Sequence, residues 1–282
     1  MWSRRWSWGP VNGYDWRVFD WDREQLWRLR APGVDVAAAL AGRPIAAVAE
    51  HVGQLLLDVI AGAGAGAGAA RIGGKEADAL AEQARRCVAE LWGRGWEGDD
   101  VLARELADVL GEPWPPETAA DAPMSSVPDL PRWPLTPIPV HLADLAEFLD
   151  GDPRQGRGVI DLETGFIWPP GSLEFDPPPE LNELRDDFDP ERWLAFSPES
   201  GEGYRDMLDF ADTVDARWRE RLLRALDGRG PFRRFRDALV DAPNGYRSRW
   251  EVFGTERALG RARVFLADNG YRATGHGWTP AV

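Results

Sequence analysis

The chain predicts an α+β fold. An all-helical N-terminal domain (residues 14–111) is followed by a proline-rich linker (112–139) and a small C-terminal α+β domain (140–273). In that last domain a hairpin or three-stranded sheet is packed by helices. Three observations lead there. Nine prolines fall between Pro113 and Pro139, which no helix can run through. Before them the apolar residues keep only helical spacing. After them short alternating runs appear among helical ones.

In the N-terminal part the candidate helices are 22–30, 36–41, 44–60, 76–92 and 99–110. Ile45, Val48, Val52, Leu55, Leu56 and Val59 keep one stripe, and Ala77, Leu80, Ala84, Val88 and Leu91 keep another. Cys87 sits beside the second stripe and reads as a small core thiol. Asp99 is placed to cap the last helix, which Gly111 and Pro113 close. The Gly-Ala alternation from Ala61 to Ala69 lacks a phosphate-loop ending and reads as a flexible loop. Six tryptophans, at positions 2, 6, 8, 16, 21 and 27, crowd the start. Some pack on the helices; the remainder is core or disordered, or, if exposed, forms a partner site.

Beyond the linker, Leu142, Leu145, Ala146 and Leu149 mark a short helix. Gly158 to Glu163 and Phe166 to Trp168 alternate around Thr164-Gly165, a hairpin, and Trp193 to Phe196 is a third strand. Helices follow on Tyr204, Met207, Leu208, Ala211 and Val214, and on Trp218, Leu222, Leu223 and Leu226. Gly228 can end the second of these. Pro231 suits the first turn of the next helix, where Phe232, Phe235 and Leu239 form one buried stripe. Trp250 to Phe253 reads as a short strand or turn. Thr255 then caps a last helix with Leu259, Ala262, Phe265 and Leu266 inward, ended by Asn269-Gly270.

The net charge is −14, with 32 arginines and a single lysine, Lys75. That balance disfavours a general nucleic-acid coat or a binder of anionic membranes. One cysteine permits no internal disulfide. His51, His141 and His276 have no metal-ligand spacing. Met1 to Pro10 lacks the apolar core of a secretory signal, and Ile45 to Ile60 is too short and too charged to span a bilayer. A cytoplasmic protein without metal or cofactor is expected. Catalytic residues are not evident: Ser197, Ser200 and Ser248 lack a nucleophile elbow. Gly201-Glu202-Gly203 is too short for a dinucleotide fingerprint, and Asp186, Asp187, Asp189 and Glu191 form a carboxylate cluster without a partner histidine.

The charge is unevenly placed. Between Asp144 and Asp206, 17 acids face five arginines (−12), and between Ala216 and Arg263, 13 arginines face six acids (+7). Folding either joins these sections in ion pairs or leaves part of the arginine face open. The candidate anion site is the turn and helix start carrying Arg229, Gly230, Phe232, Arg233, Arg234 and Arg236, where free N–H groups and the helix dipole favour negative charge. Its arginines either bind an anion or pair with the protein's own carboxylates, those of 186–191 being the candidates.

Four matches in order resemble the bacterial uncharacterised protein family 0158. They are Ile160 to Gly165; Trp193 to Pro198 with Tyr204 to Met207 and Phe210; Gly228 to Asp237; and Arg249-Trp250 with Phe253. The likeness covers about residues 140–273. Pro231 and Phe265 depart from the small residue and the tryptophan expected there. The resemblance implies a fold and no chemistry. Three functions remain: a non-enzymatic protein-interaction module, a nucleic-acid or nucleotide-associated protein, and an enzyme of unrecognised type.

Overall fold

A computed structural model describes residues 21–65, 74–114, 133–172, 189–199, 201–243 and 245–274. The chain divides into two compact units, Met1–Pro123 and Met124–Val282.

The first unit is helical throughout its described residues: α1 (Arg23–Arg28), α2 (Val36–Leu40), α3 (Ala49–Ala65), α4 (Gly74–Arg94) and α5 (Asp99–Leu110). Side-chain caps start the two short helices. Asp22 and Gln25 exchange hydrogen bonds in a capping box, and Asp35 accepts the Ala38 N–H. The core takes most of the expected stripes: Ala77 is exposed and Val59 half-buried, while Val52, Leu56, Leu80, Ala84 and Leu91 are buried and Leu102 and Leu106 of α5 join them. Cys87 is among them, donating to the Ala49 carbonyl at 3.4 Å. At Gly53 a Cβ would come within 2.7 Å of Leu102, so α3 and α5 approach through a glycine.

Two expectations change here. Helix α3 runs through Ala65, so the first residues of the Gly-Ala tract are helical. A helix already nucleated carries on through alanines despite the cost of each glycine. Gly98, not Asp99, is the N-cap of α5. Asp99 is drawn inward instead: its carboxylate takes Arg94 Nη2 at 2.6 Å and Nε at 2.9 Å, and accepts the Trp96 N–H. Of the six tryptophans, Trp21 is buried, donates to the Pro44 carbonyl and lies under Arg43, whereas Trp27 is exposed. Trp2, Trp6, Trp8 and Trp16 lie outside the described residues.

The second unit is α+β. Its strands are β1 (Thr136–Ile138), β2 (Gly158–Asp161), β3 (Ile167–Trp168), β4 (Trp193–Phe196) and β5 (Tyr271–Ala273). The hairpin and third strand form an antiparallel sheet in the order β3-β2-β4. Strand β1 pairs in parallel with β5, Thr136 opposite Tyr271. Strand β1 lies within the stretch expected to be linker. The Thr136 N–H and the Ile138 carbonyl make the bonds, and Pro137 between them needs no donor. Gly165 closes the hairpin at φ 73°, and a Cβ there would strike the Pro139 carbonyl.

The helices are α6 (Leu142–Leu149), α7 (Glu202–Ala211), α8 (Ala216–Leu226), α9 (Pro231–Val240) and α10 (Tyr246–Asp268). Helix α10 is continuous over 23 residues, which corrects the strand or turn at Trp250–Phe253 and the cap at Thr255. Thr255 lies within the helix and its hydroxyl donates to the Glu251 carbonyl one turn back. The helix serves two cores. Toward its C-terminus Ala258, Leu259, Ala262 and Leu266 pack with Ile138, Val140, Leu145, Ile160 and Phe196 beneath the sheet. Toward its N-terminus Trp250 and Phe253 join Phe210 and Phe235, ring centroids 4.9–6.3 Å apart and mostly edge to face. Among the described residues no helix is long and apolar enough to cross a membrane.

Candidate functional site: the arginines of the C-terminal unit

Helices α8 and α9 are joined by the turn Asp227 to Gly230. Asp215 caps α8, accepting the Arg217 and Trp218 N–H groups. Gly228 and Gly230 take positive φ, 87° and 71°, and Pro231 opens α9 as expected. Between Asp215 and Asp241 the hairpin carries eight arginines and five carboxylates.

The six residues of the candidate anion site separate. Arg234 turns back onto the end of α8, donating to the Asp227 and Arg224 carbonyls. It satisfies the last carbonyls of a helix and is a C-terminal clamp. Arg233 is 86% exposed and lies 3.7 Å from Asp237, an i,i+4 pair. Arg229 and Arg236 are exposed and make no ion pair among the described residues. Gly230 is the N-cap, its carbonyl accepting the Arg234 N–H at 3.2 Å.

Phe232 departs from its expected place. Phe235 and Leu239 are buried, but Phe232 is 53% exposed. The helix phase is right, but a first-turn residue projects past the aromatic cluster. Its ring lies over Gly203, where a Cβ would come within 3.1 Å of it. Asp186 and Asp187, the suggested native occupants, lie outside the described residues. Asp189 accepts the Glu191 N–H within its own turn.

The two sides of α9 differ. Toward α8 runs an open groove of about 370 Å³ lined by Arg221, Arg224, Ala225, Arg234, Asp237, Ala238 and Asp241. Its cations are engaged: Arg221 with Asp241, Arg224 with Glu220 and Arg234 with the carbonyls. Away from α8, Phe232, Arg236 and Val240 follow one another at i, i+4 and i+8, with Arg233 beside them. Val240 is 69% exposed. This outer edge is basic and apolar together.

The acidic and basic sections do meet, through arginines that the sequence did not single out. Arg257 and Arg261, one turn apart on α10, reach Asp206 on α7 at 3.1 and 2.9 Å. Arg261 continues to Asp150 at 2.8 Å, and Arg257 approaches Asp209 at 3.5 Å. The Arg257 and Asp206 side chains are each 3% exposed. Burial pushes the Asp150 carboxyl above its ordinary range against the pull of Arg261, and does the same to Asp209 against Arg257. Burial also disfavours the charge on Arg261, but Asp206 and Asp150 outweigh it and hold its pKa above the ordinary arginine value. Nearby, the exposed Asp215 is held below its ordinary value by the Tyr246 hydroxyl, which donates to it at 2.6 Å. A usable signal was present: Asp206, Met207, Phe210 and Ala211 share one face of α7, so Asp206 had to be buried and paired.

No group of histidine, cysteine and carboxylate side chains among the described residues could hold a metal ion. No protein-family model matches the chain, and neither does any curated protein or solved structure.

Proposed function

We propose that this is a non-enzymatic, cytoplasmic interaction protein and that the outer edge of α9 is a contact surface for a protein partner. One observation carries the reading: Phe232 and Val240 stand 53% and 69% exposed on the same helix edge as Arg233 and Arg236. Single exposed apolar side chains are ordinary on a protein surface. Two of them bracketing exposed guanidiniums match the aromatic and arginine enrichment of interfaces. Membership of the C-terminal unit in the uncharacterised protein family 0158 belongs to the same proposal and adds no chemistry to it.

The test is site-specific photo-crosslinking in cells from position 236, with position 82 on α4 as the control. A defined partner should be captured from 236 and lost when Arg233 is also changed to alanine. Equal products from both positions would overturn the reading.

A further inference from the structure

We infer that the outer edge of α9 recognises an acidic peptide segment bearing two apolar side chains about 12 Å apart. This rests on the interaction reading above and gives the partner its chemistry.

The spacing comes from the helix itself. Phe232 and Val240 are eight residues apart, and a rise of about 1.5 Å per residue separates them by about 12 Å along α9. Arg233 and Arg236 lie between them, so a matching segment places its carboxylates between its two apolar anchors. A helical partner comes near this with apolar residues seven apart, about 10.5 Å along its axis, and acids on the same face, the helix-on-helix form of recognition.

Charge selects the sign. Arg233 is 86% exposed, with only Asp237 facing it at 3.7 Å, and Arg236 and Arg229 have no ion-pair partner among the described residues. Guanidiniums held this loosely exchange water for a carboxylate fork at small cost. The apolar residues select against a nucleic acid. Valine offers no ring for a base to stack on, and the Phe232 ring already lies over Gly203. The chain's net charge of −14 also repels a uniformly charged polyanion more than a segment of a few carboxylates. The groove on the other side of α9 makes a weaker site, because its three arginines already have partners.

Fluorescence anisotropy on the full chain tests this with three labelled probes. The first is a 12-residue Glu-rich peptide with leucines seven apart. The second is the same peptide with serine for leucine, and the third is a 12-nucleotide single strand. The leucine peptide should bind at least fivefold tighter than either of the others. Arg233→Ala/Arg236→Ala should weaken it about tenfold and Val240→Ser at least threefold, while Arg217→Ala, on α8, stays within twofold. Val240→Ser changes a side chain already 69% exposed, so its result stands even if the double variant melts early. Equal binding of the serine peptide, tighter binding of the oligonucleotide, or insensitivity to both variants overturns the inference. No peptide binding alongside a partner still captured from position 236 overturns this inference alone. Loss of both overturns the interaction reading as well.

Discussion

Two sets of arginines in the C-terminal unit share a chemistry and have opposite fates. On α10, Arg257 and Arg261 are buried or nearly so, and Asp206 binds both. On α9, Arg233 and Arg236 stand in solvent. The difference lies in where each helix meets the core. Helix α10 is covered on several sides, so cations on it must meet carboxylates or leave the fold. Helix α9 buries one narrow stripe, Phe235 and Leu239, and its Arg233 and Arg236 lie outside that stripe and owe the fold little. Within one basic section of sequence, the first pair is structure and the second is surface.

The largest test of this contrast is removal of the shared carboxylate. Asp206→Ala takes from two arginines the buried carboxylate they share, leaving Asp209 beside Arg257 and Asp150 beside Arg261, and breaking a buried pair this way costs about 3–5 kcal/mol. Arg233→Ala and Arg236→Ala should each stay within about 0.5 kcal/mol of the parent. Urea melts of the three variants measure both. A small loss for Asp206→Ala would mean that water reaches the cluster and that the two sets are alike.

Helix α9 repeats the contrast in its own phenylalanines. Phe235→Ala empties a site in the aromatic cluster and should cost about 3–5 kcal/mol. Phe232→Ala removes a half-exposed ring and should cost less than about 1 kcal/mol. Equal losses in thermal melts would show that Phe232 is buried in solution and that α9 has no apolar outer edge.

How far the sequence reached follows the same division between one-sided and many-sided burial. Helices that bury a single stripe, such as α4, α8 and α9, were legible from spacing. Helix α10 was broken in two because residues all around it are inward-facing, which blurs a 3.6-residue period. Strand β1 was lost because prolines at 134, 137 and 139 mimic a linker, and an edge strand can keep a proline where no donor is needed. For the candidate site, the sequence placed the turn at Gly228 to Pro231 and the arginines around it. It could not tell that Arg234 is consumed by the α8 carbonyls, since that depends on where α8 ends in space. The contrast between −12 and +7 left ion pairs and an open arginine face as alternatives and named no members of either, because charge counts carry no burial.

Arg234 lies between the two extremes. Its guanidinium is exposed but holds the Asp227 and Arg224 carbonyls. A net contribution near that of an ordinary hydrogen bond, about 0.5–1.5 kcal/mol, is expected on Arg234→Ala. Hydrogen exchange should quicken at the last turn of α8 and not at α10. A change no larger than that of Arg233→Ala would place Arg234 with the free surface cations.

The smallest effect concerns the rim of the buried cluster. Asp150 touches Arg261 at 2.8 Å, yet burial raises its carboxyl pKa above the ordinary value of 3.8. A carboxyl whose pKa is higher in the folded state binds its proton more tightly there than in the unfolded chain. Its stabilising contribution is therefore complete below the unfolded value and is lost as pH rises through the folded one. The raised value makes the charge on Asp150 at most a small burden at neutral pH, since its side chain is 38% exposed, whereas the charge on Asp206 is shared by two arginines. Asp150→Asn should accordingly melt at or slightly above the parent at pH 7, and its advantage should shrink as pH falls toward the ordinary carboxylate range. Paired melts at pH 4, 5.5 and 7 decide it. If Asp150→Asn loses stability at pH 7 and recovers at pH 4, the Arg261 pair outweighs burial, and the cluster's stabilising part extends from Asp206 out to α6.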